Sequence, residues 1–75
     1  MELEKVKPGM RCRIVSIDPS GMAGKRLLDF GFIPGAHVEI VRNAPLADPI
    51  EVVLHQTLVS LRHEEAKKIM VEVIE

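Results

Sequence analysis

Short aliphatic runs with a two-residue period, each closed by a cluster of Pro, Gly or Asp, recur along almost the whole chain. That pattern constrains the fold more than any single residue, because runs this short cannot make stable helices and instead read as strands. Met10, Cys12 and Ile14 alternate with Arg11 and Arg13, after which the phase slips to Val15 and Ile17. Such a slip marks a bulge or a strand covered on both faces. Val38 and Ile40 point one way in HVEIVR, with His37 and Glu39 the other; Ile50, Val52 and Leu54 share a face of IEVVLH. Leu58 to Leu61 and a closing MVEVI complete five strands, and Ala44 to Pro49 reads as a loop broken by two prolines. The turn at His55-Gln56-Thr57 lacks the usual Gly, Asn or Asp.

Two helical pieces interrupt this pattern. Between Gly21 and Phe30, residues Ala23, Leu27 and Phe30 fall at i, i+4 and i+7 and predict one buried helix face. Gly21 and Gly24 weaken its first turn. HEEAKKI reads as a turn or two of helix, with Glu64 and Glu65 early and Lys67 and Lys68 late, matching the helix dipole. Glu64 and Glu65 are adjacent and diverge, with no evident joint role.

The stretch RLLDFGFIPG between these elements resolves into local structure. Gly31 suits the left-handed residue that ends a helix, and Phe32 and Leu27 are the apolar pair that such an ending brings together. Ile33-Pro34-Gly35-Ala36 then has the order of a type II turn. The stretch is a corner, not a catalytic loop.

Five short strands and little helix in 75 residues predict one domain, residues 1–75, folded as a small barrel whose closure removes sheet edges. A chain this small buries only about 60% of its unfolded surface. Phe30 and Phe32 are the only aromatics, so the core is aliphatic. A net charge of −1, with acids and bases interspersed, argues against a phosphate-backbone binder, and no nucleic-acid partner is expected. Cys12 is the only cysteine, which excludes an internal disulfide and fits a reducing cytoplasm. The charged opening MELEKVKPG lacks a signal peptide's apolar run, and no stretch is long and apolar enough to enter a bilayer.

Candidate chemistry is sparse. Gly21 to Arg26 fails as a Walker A loop, since its glycines are too close and Arg26 replaces the Ser or Thr that holds magnesium. As a GXXG nucleic-acid clamp it has a strand and a turn before it where a helix belongs. His37, His55, His63 and Cys12 are metal donors by type, but no spacing makes a local chelate, so the metal ligands stay unknown. No serine or cysteine sits in a nucleophile's setting, and an enzyme is not expected. The Ala44–Pro49 loop is stiffened by Pro45 and Pro49, with Leu46 either an exposed tip or folded back over the barrel end.

RLLDFGFIPG, HVEIVR, APLADPIEV and LVSLRHEEAKKIMVE, in that order, resemble the FeoA family (ferrous iron transport protein A). The resemblance runs from about Lys7 to Val73. It implies a mainly β, SH3-like barrel of about five strands, with a short helix after the first strand and a helical turn before the last. It further implies a cytoplasmic, non-enzymatic accessory of bacterial ferrous iron uptake that binds the cytoplasmic region of the membrane transporter FeoB. The contact residues expected are Lys25, Arg26 and Asp29 on the helix and Pro45, Leu46 and Asp48 in the loop. Related domains in iron-dependent repressors make weak transition-metal (iron) binding the alternative. Two departures stand out: the family usually carries glycine at the position of Ala47 and in the turn around Gln56-Thr57, so a positive φ at 47 would strain the alanine. The oligomeric state is left open.

Overall fold

In the computed structural model, which describes residues 1–75, the strands are β1 (Arg11–Ile17), β2 (His37–Ala44), β3 (Ala47–Leu54), β4 (Thr57–Leu61) and β5 (Ile69–Val73). Helix α1 (Gly21–Phe30) follows β1, and the four-residue α2 (His63–Ala66) links β4 to β5. One antiparallel sheet of order β4-β3-β2-β1-β5 wraps a single core. Alternation sets that core: Cys12, Ile14, Val38, Ile40, Ile50, Val52, Leu54, Val59, Leu61, Ile69 and Val71 all point inward. The slip in β1 is a bulge, since the β1–β5 register shifts between Ile14 and Ser16 and leaves Val15 outside.

The corner after α1 forms as its sequence predicts. Gly31 adopts φ 101°, the Phe32 N–H donates to Leu27 O (3.1 Å), and the Gly31 N–H donates to Leu28 O (3.0 Å). Leu27 and Phe32 are both fully buried. Ala36 N–H closes the next turn on Ile33 O at 3.0 Å, with Gly35 at φ 92°.

Four expectations need correction. Phe30 is not on the buried face: it is 46% exposed, because the helix ends there and the left-handed step at Gly31 turns Phe32 inward instead. Gly24, read as a weakness, is a packing requirement. A Cβ there would lie 2.3 Å from the Pro19 carbonyl carbon, so only glycine lets α1 rest on the Asp18–Pro19 turn. The six-residue loop shrinks to a two-residue turn, Pro45-Leu46, with Ala44 paired to Ala47, and the positive φ falls on Leu46 (60°), not Ala47. The ladder also does not close, leaving β4 and β5 as edges.

The charged N-terminus contributes more than its composition suggests. Leu3, the first residue of a single 3-10 turn (Leu3–Lys5), and Val6, just after it, are both buried and join the core. Met1 and Glu2 cover β5: the Val71 N–H donates to Met1 O at 2.8 Å, and Glu2 bridges Met70.

Candidate functional site

The β2–β3 hairpin tip is held from three sides. Its two carbonyls, Ala44 O and Ala47 O, lie 3.1 and 3.0 Å from His63 Nε2, at the start of α2. Both are acceptors, so Nε2 carries the proton and donates to each. Asp48 Oδ1 accepts the His63 backbone N–H at 2.8 Å, satisfying one of the free donors at the helix start. Asn43 Nδ2 donates to Glu4 O and Val6 O, both at 2.8 Å, which ties the hairpin to the N-terminal turn. Glu4 Oε2 completes the arrangement 3.6 Å from His63 Nδ1.

This framework presents one side chain. Leu46 is fully exposed and sits at φ 60°, a region that costs a non-glycine residue about 1 kcal/mol. An apolar residue held in a costly conformation with its side chain in solvent is a feature that packing does not account for. Beside it runs a shallow groove lined by Lys5, Lys7, Pro8, Asn43, Pro45 and His63. Leu46 is therefore an exposed tip and does not fold back.

The helix candidates are placed differently. Lys25 and Asp29 are exposed on α1 and make no ion pair. Arg26 is bound to Glu65 of α2 and lies over the Phe30 ring, 5.2 Å from its centroid. Glu65, which the sequence left without a role, is only 8% exposed and also accepts the Arg62 N–H at 2.9 Å. Thus α2 stands between the two groups of candidates, gripping Arg26 through Glu65 and Asp48 through His63. Arg26 and Asp48 have structural partners, whereas Lys25, Asp29, Pro45 and Leu46 are free at the surface. No sequence signal identifies the Arg26–Glu65 and His63–hairpin contacts, because both join residues distant along the chain.

The potential metal donors are dispersed. Cys12 is buried, and burial pushes its thiol pKa up, as expected of an inert cysteine. His63 is engaged at the hairpin, while His37, at the start of β2, and His55, in the β3–β4 turn, line a groove with Arg11, Glu39 and Glu75. No three His, Cys, Asp or Glu side chains are grouped to hold a metal ion. No helix is long and apolar enough to cross a membrane.

The fold defines a class: a small SH3-like domain, mainly β, whose surface loops carry its individuality. The FeoA domain model matches residues 1–73, and the chain belongs to that family. It is 39% identical over 74 residues to an Fe(2+) transport protein A/Fe(2+) transporter FeoB fusion protein of Porphyromonas gingivalis, covering 99% of this chain and 9% of that protein. The solution structure of iron(II) transport protein A from Clostridium thermocellum is 40% identical, with TM-score 0.89, over 99% of this chain and 46% of that one. The zinc complex of FeoA from Stenotrophomonas maltophilia, described as a prokaryotic SH3 domain protein, is 26% identical with TM-score 0.85, over 96% and 89%. The chain thus spans about a tenth of the fusion protein and under half of the C. thermocellum chain.

Proposed function

We propose that residues 1–75 act as a single cytoplasmic adaptor domain that supports bacterial ferrous iron uptake by binding the cytoplasmic region of a FeoB-type transporter. The observation that carries this reading is the hairpin tip, where His63, Asp48 and Asn43 hold a fully exposed Leu46 in a strained conformation. A fixed apolar tip loses little conformational entropy when it enters a pocket on a partner. Fusion of a relative to FeoB keeps the two in one polypeptide, which supports the choice of partner. Lys25 and Asp29 are the second contact region, and Arg26 and Asp48 act by positioning.

Titration of the labelled protein with the cytoplasmic domain of the transporter tests this reading. The expected result is amide shifts concentrated at Ala44–Asp48, with a weaker set at Lys25–Asp29. Absence of binding, or shifts confined to other faces, would overturn it.

A further inference from the structure

Lys5 and Lys7 belong to the charged opening of the sequence, and the fold fixes them beside the hairpin tip. Asn43 Nδ2 donates to Glu4 O and Val6 O, both at 2.8 Å, and the Gly9 N–H donates to Ile40 O at 2.7 Å. Residues 4–9 are therefore fastened to β2 at both ends. Between these points Val6 is extended (φ −82°, ψ 133°) and buried. Its neighbours Lys5 and Lys7 both turn outward, as alternate positions of an extended chain do, and both are exposed. With Pro45 and Leu46 of the hairpin they line a groove of about 490 Å³.

This groove is positive although the chain as a whole carries −1. Its single acid is Glu4, whose side chain is only 15% exposed and lies against His63, 3.6 Å from Nδ1. Lys5 meets a carboxylate only at 3.8 Å, that of Glu2, and 65% of its side chain stays exposed. Lys7 has no carboxylate within ion-pair range. Elsewhere Arg11, Arg13, Arg26, Arg42 and Lys68 are each paired with an acid of the fold. The cations next to Leu46 are thus among the few that the fold leaves available.

We infer that the segment docking on the hairpin tip is acidic: an apolar pocket receives Leu46, and carboxylates at its border reach Lys5 and Lys7. This rests on the reading of Leu46 as the docking element and adds the chemistry of what it meets. Two ammonium groups beside one apolar side chain complement carboxylates around a small cavity, and complementary charge fixes which partner is accepted. No arginine lines the groove to hold a phosphate by two parallel bonds. An anionic membrane fits less well, because electrostatic attachment takes clusters of about four to eight basic residues. A groove also has no role against a flat surface, whereas a polypeptide can enter it.

The experiment is calorimetric titration of the transporter's cytoplasmic domain with the wild type and with charge variants whose thermal melts are unchanged. Lys5→Glu/Lys7→Glu should weaken binding by about tenfold or more, and Lys5→Gln/Lys7→Gln by a smaller factor. Lys67→Glu, at an exposed residue outside the groove, should change it by less than about twofold. Wild-type affinity should fall between about 50 and about 300 mM salt, and the glutamine variant should lose most of that response. Unchanged affinity and salt response in both double variants overturns the inference while the hairpin reading stands. Failure of the wild type to bind overturns the hairpin reading, and two short soluble peptides then decide the chemistry of the groove. One carries a leucine flanked by glutamates, the other glutamines in their place. The first should shift the Lys5, Lys7, Asn43 and Leu46 amides and the second should not; equal shifts, or none, overturn the inference. Attachment to phosphatidylserine vesicles that Lys5→Glu/Lys7→Glu abolishes assigns the groove to a membrane and also overturns it.

Discussion

Gly24→Ala is the substitution for which helix propensity and packing give opposite signs. By propensity alone, alanine in the middle of α1 would stabilise the protein by about 1 kcal/mol. The structure places the new methyl 2.3 Å from the Pro19 carbonyl carbon, 2.5 Å from Pro19 O and 2.8 Å from Asp18 O. All three are backbone atoms, so no side chain can swing aside. Restoring an ordinary carbon contact requires the turn to retreat by about 1 Å. Overpacking of this kind costs about 1–3 kcal/mol, and a backbone obstacle belongs at the upper end. The retreat also disturbs Asp18, whose carboxylate accepts the Ser20 N–H at 3.0 Å and reaches Lys68 Nζ at 3.4 Å. Net destabilisation of about 2 kcal/mol is expected, equivalent to a fall in Tm of roughly 10 °C for a domain of this size. Urea and thermal unfolding followed by circular dichroism read it directly. An unchanged or raised Tm refutes the account of why α1 carries a glycine at this position.

Four further outcomes follow from local geometry. Gln56 sits at φ 66° beside His55 at φ 51°, a two-residue hairpin turn of the type that favours glycine at its second position. Gln56→Gly should therefore raise stability by about 1 kcal/mol in a denaturant melt. Glu65→Ala strands the Arg62 N–H and Arg26 and should cost about 1–3 kcal/mol. Arg26→Ala, at a half-exposed group, should cost under about 1 kcal/mol in the same assay. Hydrogen bonds from the Ser20 hydroxyl and backbone N–H, helped by Lys68, lower the Asp18 pKa from 3.8 to about 2. A depressed carboxylate pKa stabilises the fold above the unfolded value and loses that contribution as pH falls towards the folded one. Acid titration of stability should thus include a contribution lost between pH 3.8 and about 2 that is missing in Asp18→Asn.

What the sequence made legible was local. The Leu27–Gly31–Phe32 ending, the Pro34–Gly35 turn and the bulge at Val15 each depend on residues a few positions apart, and their geometry leaves few alternatives. Alternation in the strands likewise located the core, because a period of two admits one inward set. The misplacement of Phe30 shows the limit of periodicity: a helical wheel assumes that the helix continues, and here it stops at the residue in question. Gly24 and Glu65 were unreadable for another reason. The close approach of Pro19 and the meeting with Arg26 exist only after the sheet has brought α1 and α2 together. The same holds for the site. Leu46 was recognisable as an apolar residue in a proline-bounded loop, but its exposure and strain depend on Ala44 and Ala47 being held by His63, sixteen or more positions away.

The claim that the hairpin tip is the docking element predicts that Leu46→Gly has opposite effects on stability and binding. Glycine relieves the positive φ, so the isolated domain should melt at the same temperature or higher. It also removes the exposed side chain, so affinity for the transporter's cytoplasmic domain, measured by calorimetric titration, should fall by about tenfold or more. Higher or equal stability with weakened binding is the result the account requires. Unchanged affinity in a folded Leu46→Gly protein would contradict it.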